Sequence, residues 1–495
     1  MVMARAGRHW RITTVILVGL LAGAGLAAPA SAAPPPCLTT PSATQPGYSI
    51  ADPACDFTGS LYTGGRFEPL TDAAGQPVSR VFTGILNGAA YRAEVPMHWN
   101  GDLVLYAHGY RGQGRTVWVD TTYLRDYYVG RGFAWAASSY QTNGYDVGHG
   151  VTDTHALIGL VGSLLGAPRD VYMTGASMGG HITAVEIEKY RDFVGAMPIC
   201  GVLGDTELFD FQLDANVTAA GLTGTPISFP DSPAAGLAYA PTHVARVLSE
   251  LPRLGSGFNA GNPAAVSLTP LGQLWAAAVE QRSGGTRPGF ASAFAFWNSF
   301  GFAPLSNIPF LFGLYPGLSG GTIGIAAGNV TGNVGTVYRF SDRLGRLSPA
   351  EQALNAAVLR VAATTPPAAD LTGIPKVFGD PRIPVLSLHD LGDLFVPFSM
   401  EQIYAARVAS QHQSGLLVTR AVRGVGHCDF TLAELRQGFS DLVRWVRQHH
   451  RPAGDNVRDA ADLARPTFGC RFTDPTPGAH PTFVGVPCPA RRDQK

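Results

Sequence analysis

Six short runs of the chain are apolar at nearly every position: LVLYA at 103–107, FAWAAS at 133–138, VYMT at 171–174, FVGAMPI at 193–199, PVLSLH at 384–389 and LLVTRAV at 416–422. A strand with one wet face alternates apolar and polar residues. These runs do not alternate, so both faces are covered, as in a parallel sheet with helices on either side. Between the runs the apolar period lengthens to that of a helix, at 154–166, 178–190 and 431–450. In the last of these, Leu432, Leu435, Phe439, Leu442, Val443 and Val446 share a face, and Thr431 with Glu434 has capping-box spacing. The alternation predicts an α/β fold, a mostly parallel central sheet flanked by helices.

One gap breaks the rhythm. Between Cys200 and Pro384 lie 183 residues, where a crossover needs only about a dozen. A stretch this long predicts an inserted domain. It holds a cluster of phenylalanines at 290, 294, 296, 300, 302, 310 and 312. They are expected to form the insert's own core, the alternative being an apolar substrate tunnel. The chain therefore divides into residues 33–75, a core at 76–200, an inserted lid at 201–383, a second core segment at 384–451, and a tail at 452–495.

Composition narrows the function classes. Lys plus Arg and Asp plus Glu both number 36 in 495 residues, with 45% hydrophobic side chains. That is globular, and the balance points to no nucleic-acid partner. Arg5, Arg8 and Arg11 precede an apolar stretch that ends in the small residues Ala30, Ser31 and Ala32. The pattern predicts a signal peptide, residues 1–32, and hence a secreted, extracellular protein. Its apolar run of about 16 residues is short of the ~20 that span a bilayer, so no membrane anchor is expected after cleavage. The six cysteines, 37, 55, 200, 428, 470 and 488, then favour disulfides. Connectivity stays open; one hypothesis pairs Cys37–Cys55 and Cys470–Cys488 across equal spacings, leaving Cys200–Cys428. No C-x-x-C pair is present, which argues against zinc or thiol redox chemistry, and the serine chemistry expected below implies no metal or cofactor.

The candidate chemistry starts at TGASMGGH, residues 174–181. Ser177 lies directly after a predicted strand and directly before a predicted helix, with Gly175 and Gly179 two residues to either side. Such a turn is sharp, and side chains at those two positions would clash. A serine needs a histidine base and a carboxylate to orient it. In this strand order the acid comes first and the base second. Asp393, in LHDLGDLFVP after the run at 384–389, is the candidate acid, with Asp390 as competitor. His427, in GVGHCDF after the run at 416–422, is the candidate base. The oxyanion donors are expected to be the backbone N–H of Met178 and of Tyr110, the latter in YAHGYRG at 106–112. His108, His181 and His389 read as structural. Asp205 and Glu207 read as solvated or capping acids.

In these motifs the chain resembles the α/β-hydrolase superfamily. AHGY matches the oxyanion loop, GASMGG the nucleophile turn, GDLFVP the acid and GHC the base. A looser similarity is to the tannase and feruloyl esterase group, in which a disulfide joins the residue before the nucleophile to the residue after the histidine. Cys428 follows His427 as in that group, but Ala176 stands at the other position, and Cys200 would have to supply an equivalent tie. The resemblance implies a serine hydrolase of carboxylic esters in a small-molecule or polymeric substrate, and the phenylalanine-rich insert leans towards apolar or aromatic acyl groups. The alternatives are an exopeptidase, with Asp205, Glu207 or Asp210 binding an amino terminus, and a non-catalytic surface binding protein.

Overall fold

All six apolar runs become strands of one eight-stranded sheet. The computed structural model describes residues 36–229, 233–260, 263–299, 301–302, 305–313, 329–480, 482 and 487–489. The expected signal peptide at 1–32 and Phe300 lie outside the described residues. The strands are β1 (Ser79–Leu86), β2 (Ala89–Pro96), β3 (Asp102–Ala107), β4 (Ala134–Ser138), β5 (Asp170–Ala176), β6 (Phe193–Ile199), β7 (Val385–Asp390) and β8 (Leu417–Val422). Across the sheet they run β1-β2-β4-β3-β5-β6-β7-β8. Only β2 is antiparallel to its neighbours; every other pairing is parallel.

Among the described residues the longer helices are α1 (Val147–Leu165), α2 (Met178–Lys189), α3 (Glu207–Thr223), α4 (Pro233–Leu254), α5 (Pro270–Arg282), α6 (Phe290–Ser299), α7 (Pro349–Ala357), α8 (Ser399–Ser410) and α9 (Leu432–Gln448). Alternate residues of the strands feed separate cores. Leu103, Leu105, Val171 and Met173 pack with α1, α2 and α8. Val104, Tyr106 and Tyr172 pack with Leu435, Phe439, Leu442 and Trp445 of α9. Covered on both faces, these strands carry no polar alternation, which is why they were readable. Thr431 caps α9 with the expected reciprocal bonds to Glu434.

Two features differ from expectation. Helix α1 begins at Val147, not at 154, because the Asp146 side chain accepts from His149 N–H and caps it earlier. The β1–β2 hairpin extends the sheet at one edge. Its strand β2 carries Arg92 and Glu94, both buried. Arg92 donates to Pro53 O, Cys55 O and Asp56, while Glu94 accepts from Ser79, Arg125 and Trp135. Buried charges with a full set of partners break the apolar signal without breaking the strand.

The long segment between β6 and β7 buries its aromatic residues together. Trp275, Phe290, Phe294, Phe296, Trp297 and Phe312 share a core, which continues into Leu394 and Val425 of the loops after β7 and β8. The cysteines pair as Cys37–Cys55, Cys200–Cys428 and Cys470–Cys488. No helix among the described residues is long and apolar enough to cross a membrane.

Candidate active site

In an open parallel sheet, ligands bind beyond the carboxyl ends of the strands, where the strand order reverses. Here β3 has β4 on one side and β5 on the other, so the reversal lies between β3 and β5. Ser177 follows β5, and the His108–Tyr110 loop follows β3. The two meet: a Cβ placed on Gly109 would stand 3.1 Å from Ser177 Cβ.

Ser177 has φ 61° and ψ −122°, a conformation that costs a non-glycine residue about 1–3 kcal/mol. Its surroundings enforce it. Ser177 N–H donates to Ile199 O at 3.0 Å, and Ser177 O accepts from Gly180 N–H at 2.9 Å and Val202 N–H at 3.2 Å. Both flanking glycines are required by contact. A Cβ on Gly175 would lie 2.1 Å from Gly179 O, and one on Gly179 would lie 2.0 Å from Ala107 O. Gly180 is equally confined, since its Cβ would approach Gly201 Cα to 2.4 Å.

Asp393 and His427 come together. His427 Nδ1 lies 2.6 Å from Asp393 Oδ2. The carboxylate is fully buried, and its other oxygen accepts from Phe395 N–H at 2.9 Å and Val396 N–H at 3.0 Å. With Nδ1–H committed to Asp393, the neutral tautomer leaves a lone pair on Nε2. The Phe395 ring stands edge-on to the imidazole, centroids 5.1 Å apart. Asp390 takes a different part. Its Oδ2 accepts from Asp429 N–H at 2.9 Å. Burial, followed by the neighbouring charges of Asp393 and Asp429, pushes its carboxyl well above the usual range. Asp429 in turn accepts from Thr482 N–H, so the C-terminal tail helps to hold the loop that carries His427.

The Cys200–Cys428 disulfide joins the two halves of the site. Cys200 directly follows Ile199, whose carbonyl holds Ser177 N–H. Cys428 directly follows His427, whose Nε2 is 3.6 Å from the Cys428 sulfur. Cys200 and Cys428 both have positive φ, 44° and 55°, so with Ser177 three strained residues cluster where the bridge ties the strand end beside Ser177 to the loop of His427. These sulfurs lie close to His427 but are bonded to each other and are not thiolates, so they offer no metal site.

The N–H groups of Tyr110 and Met178 have no acceptor among the described residues. His108 is buried, its ring stacked on Tyr140 at 4.0 Å and set between Gly109 O and Ser139 O. Burial pushes it down to about pKa 3, so it stays neutral. His181, also buried, contacts Tyr145 OH at 3.0 Å and Pro375 O at 2.7 Å and is pushed down to about 4. His389 contacts Val396 O at 2.9 Å. Asp205 is a correction: it is buried rather than solvated, paired with Arg407 at 2.6 Å and bonded by Val377 N–H. Asp210 accepts from Gly332 N–H, and burial pushes its carboxyl up to about 8. Glu207 is likewise raised by burial.

A narrow cavity opens at Ser177. Tyr110 and Tyr145 line it from the core, Phe395 and Val396 from the acid loop, and Val202, Leu208, Phe209 and Gln212 from the start of the long segment. Only about 30 Å³ is open to the centre of a water-sized sphere, room for one or two waters. A roomier cavity of about 380 Å³ beside Arg423 and His480 contains none of these groups. The sequence places GVLGDTELFDFQLD, residues 201–214, at the rim of the site because it directly follows a strand end, and Val202, Leu208, Phe209 and Gln212 of that stretch line the cavity.

No protein-family model matches the chain. It is 30% identical over 99 residues to the o-phthalyl amidase of Xanthobacter agilis, a match covering 20% of this chain and 22% of that protein's length. Among solved structures, feruloyl esterase B from Aspergillus oryzae aligns with 78% of this chain and 86% of its own at 12% identity, TM-score 0.42. Tannin acyl hydrolase from Aspergillus niger aligns with 76% and 79% at 14% identity, TM-score 0.41. The strand order, the single antiparallel strand near one edge and the strained serine between β5 and α2 give this chain the α/β-hydrolase fold.

Proposed function

We propose that the protein is a secreted serine hydrolase of carboxylic esters, with Ser177 as nucleophile, His427 as base and Asp393 as the acid that orients it. The observation that carries this reading is the 2.6 Å contact between His427 Nδ1 and Asp393 Oδ2, on a loop tied by disulfide to the strand end that holds Ser177. Ser177 Oγ attacks the acyl carbon as its proton passes to His427 Nε2. The tetrahedral oxyanion accepts from Met178 and Tyr110 N–H, each such donor being worth about 3–4 kcal/mol. Collapse breaks the ester C–O bond, and the leaving oxygen takes the proton from Nε2. Water then attacks the acyl carbon as it gives a proton to Nε2; collapse breaks the bond to Ser177 Oγ, which takes that proton back, and the acid leaves.

The apolar cavity wall supports an apolar or aromatic acyl group. The segment carrying Val202–Gln212 forms one wall of this cavity, and we take it to act as a lid that shifts when the acyl group binds. An amine-binding exopeptidase site is less well supported, because Asp205 is neutralised by Arg407 and Asp210 is engaged by Gly332 N–H. The three disulfides support export.

The test is hydrolysis of nitrophenyl acetate, butyrate and octanoate and of methyl ferulate, beside aminoacyl-nitroanilides. Ester turnover that falls at least ~10³-fold in Ser177→Ala is expected. Turnover confined to the anilides would replace the ester reading with the peptidase one.

A further inference from the structure

The acid and base loops are held by groups from the long segment between β6 and β7. The Trp297 indole N–H stands 2.9 Å from Gly392 O and 2.8 Å from Val425 O. Gly392 immediately precedes Asp393, and Val425 lies two residues before His427. One buried donor is thus shared by the two loops that must keep acid and base in register. Arg287 adds a second hold on the acid loop. Its Nε–H donates to Leu391 O at 2.7 Å, while its other nitrogens donate to Gly285 O at 2.9 Å and Ser283 Oγ at 3.0 Å. Ser283 O accepts from Ser399 N–H at 3.0 Å, which anchors this stretch to the start of α8. Aromatic contacts continue from Trp297 to Phe310, centroids 4.6 Å apart, then to Phe395 at 5.3 Å and to His427.

We infer that Trp297 and Arg287 are positioning residues: residues 283–299 form a clamp that sets the Asp393–His427 geometry. The inference rests on the triad assigned above. Its physical basis is that a shared N–H between two carbonyls fixes their separation, and loss of that donor leaves two buried acceptors unpaired. The loops would then separate or rotate, and a misplacement of about 1 Å at a reacting group lowers rate on the order of 10²-fold. Arg287 also brings a buried positive charge towards Asp393; burial brings its guanidinium down to about 10, so it remains charged at neutral pH.

The experiment compares Trp297→Phe and Arg287→Lys with the wild type in the full chain. The first keeps an aromatic ring and removes the N–H. The second keeps the charge and removes the guanidinium donor to Leu391 O. Two readouts are taken: the split between kcat and KM on the best ester, and the downfield proton resonance of His427 Nδ1–H, assigned by its absence in His427→Ala. The expected result is kcat reduced about 10- to 100-fold with KM nearly unchanged, and a resonance that broadens or disappears. Folded variants with a lower melting temperature but unaltered kcat and resonance would overturn the inference. If Trp297→Phe fails to fold, Arg287→Lys decides by the same criteria. The resonance needs no substrate, so an inactive wild type would count against the ester reading while leaving the clamp open to measurement.

Discussion

The strand ends of the sheet and the long segment between β6 and β7 face the same cavity, yet their placement has different origins. At the strand ends, backbone geometry dictates position: Ser177 is strained, and Gly175 and Gly179 cannot carry a side chain. In the long segment, side-chain packing dictates position. Trp275, Phe290, Phe294 and Phe312 bury one another, and Trp297 reaches from that core to the carbonyls of the acid and base loops. A site built on the first kind of region is rigid, and its residues can be read from short motifs. A wall built on the second can be repacked to admit another substrate while the chemistry stays fixed.

The largest effect expected on the rigid side is from Asp393→Asn. It keeps the shape but offers an amide where His427 Nδ1–H needs an anion, and kcat should fall about 10⁴-fold. Steady-state kinetics on the best ester measures it, and a loss under tenfold would place the acid elsewhere. Next comes the disulfide contrast. Cys200→Ser with Cys428→Ser should lower both kcat and stability, since the bridge closes a loop with sequence separation 228, worth about 5 kcal/mol in the chain-entropy model. Cys37→Ser with Cys55→Ser, neither of which lines the cavity at Ser177, should leave kcat unchanged. Equal kcat losses from the two pairs would show that the bridges act only on stability.

The smallest effect concerns Asp210 in the long segment. Its carboxyl is raised by burial to about 8 from an ordinary value near 3.8. The folded state therefore keeps a proton that the unfolded chain releases, and its contribution is intact below the ordinary value and lost as pH rises towards 8. Asp210→Asn retains an acceptor for Gly332 N–H but cannot ionise. The melting temperature of the variant relative to the wild type should rise by a few degrees between pH 5 and pH 8. A difference independent of pH would mean that Asp210 ionises normally in the folded protein.

The same division explains what was legible in the sequence. The parallel strands could be read because burial on both faces leaves continuous apolar runs. Ser177, Asp393 and His427 could be proposed because each follows such a run in the required order, and the glycines around Ser177 report a steric demand. The β1–β2 hairpin could not, since Arg92 and Glu94 sit in it at 2% and 0% exposure and their partners are far away in the chain. The start of α1 was missed because GHG at 148–150 carries no apolar period, and the cap on Asp146 is a side-chain event. Asp205 looked like a solvated acid because Arg407, which neutralises it, is 202 residues away. Trp297 and Arg287 gave no signal at all; a donor to a backbone carbonyl leaves no trace in sequence pattern.

The most direct test of the central claim is covalent. A fluorophosphonate probe, which reacts with an activated serine oxygen, is incubated with the folded protein, and the adduct is located by peptide mass spectrometry. A single adduct on Ser177, abolished in His427→Ala and in Ser177→Ala, is the predicted result. Ester hydrolysis that persists with Ser177 unlabelled, or an adduct on another residue, would contradict the account.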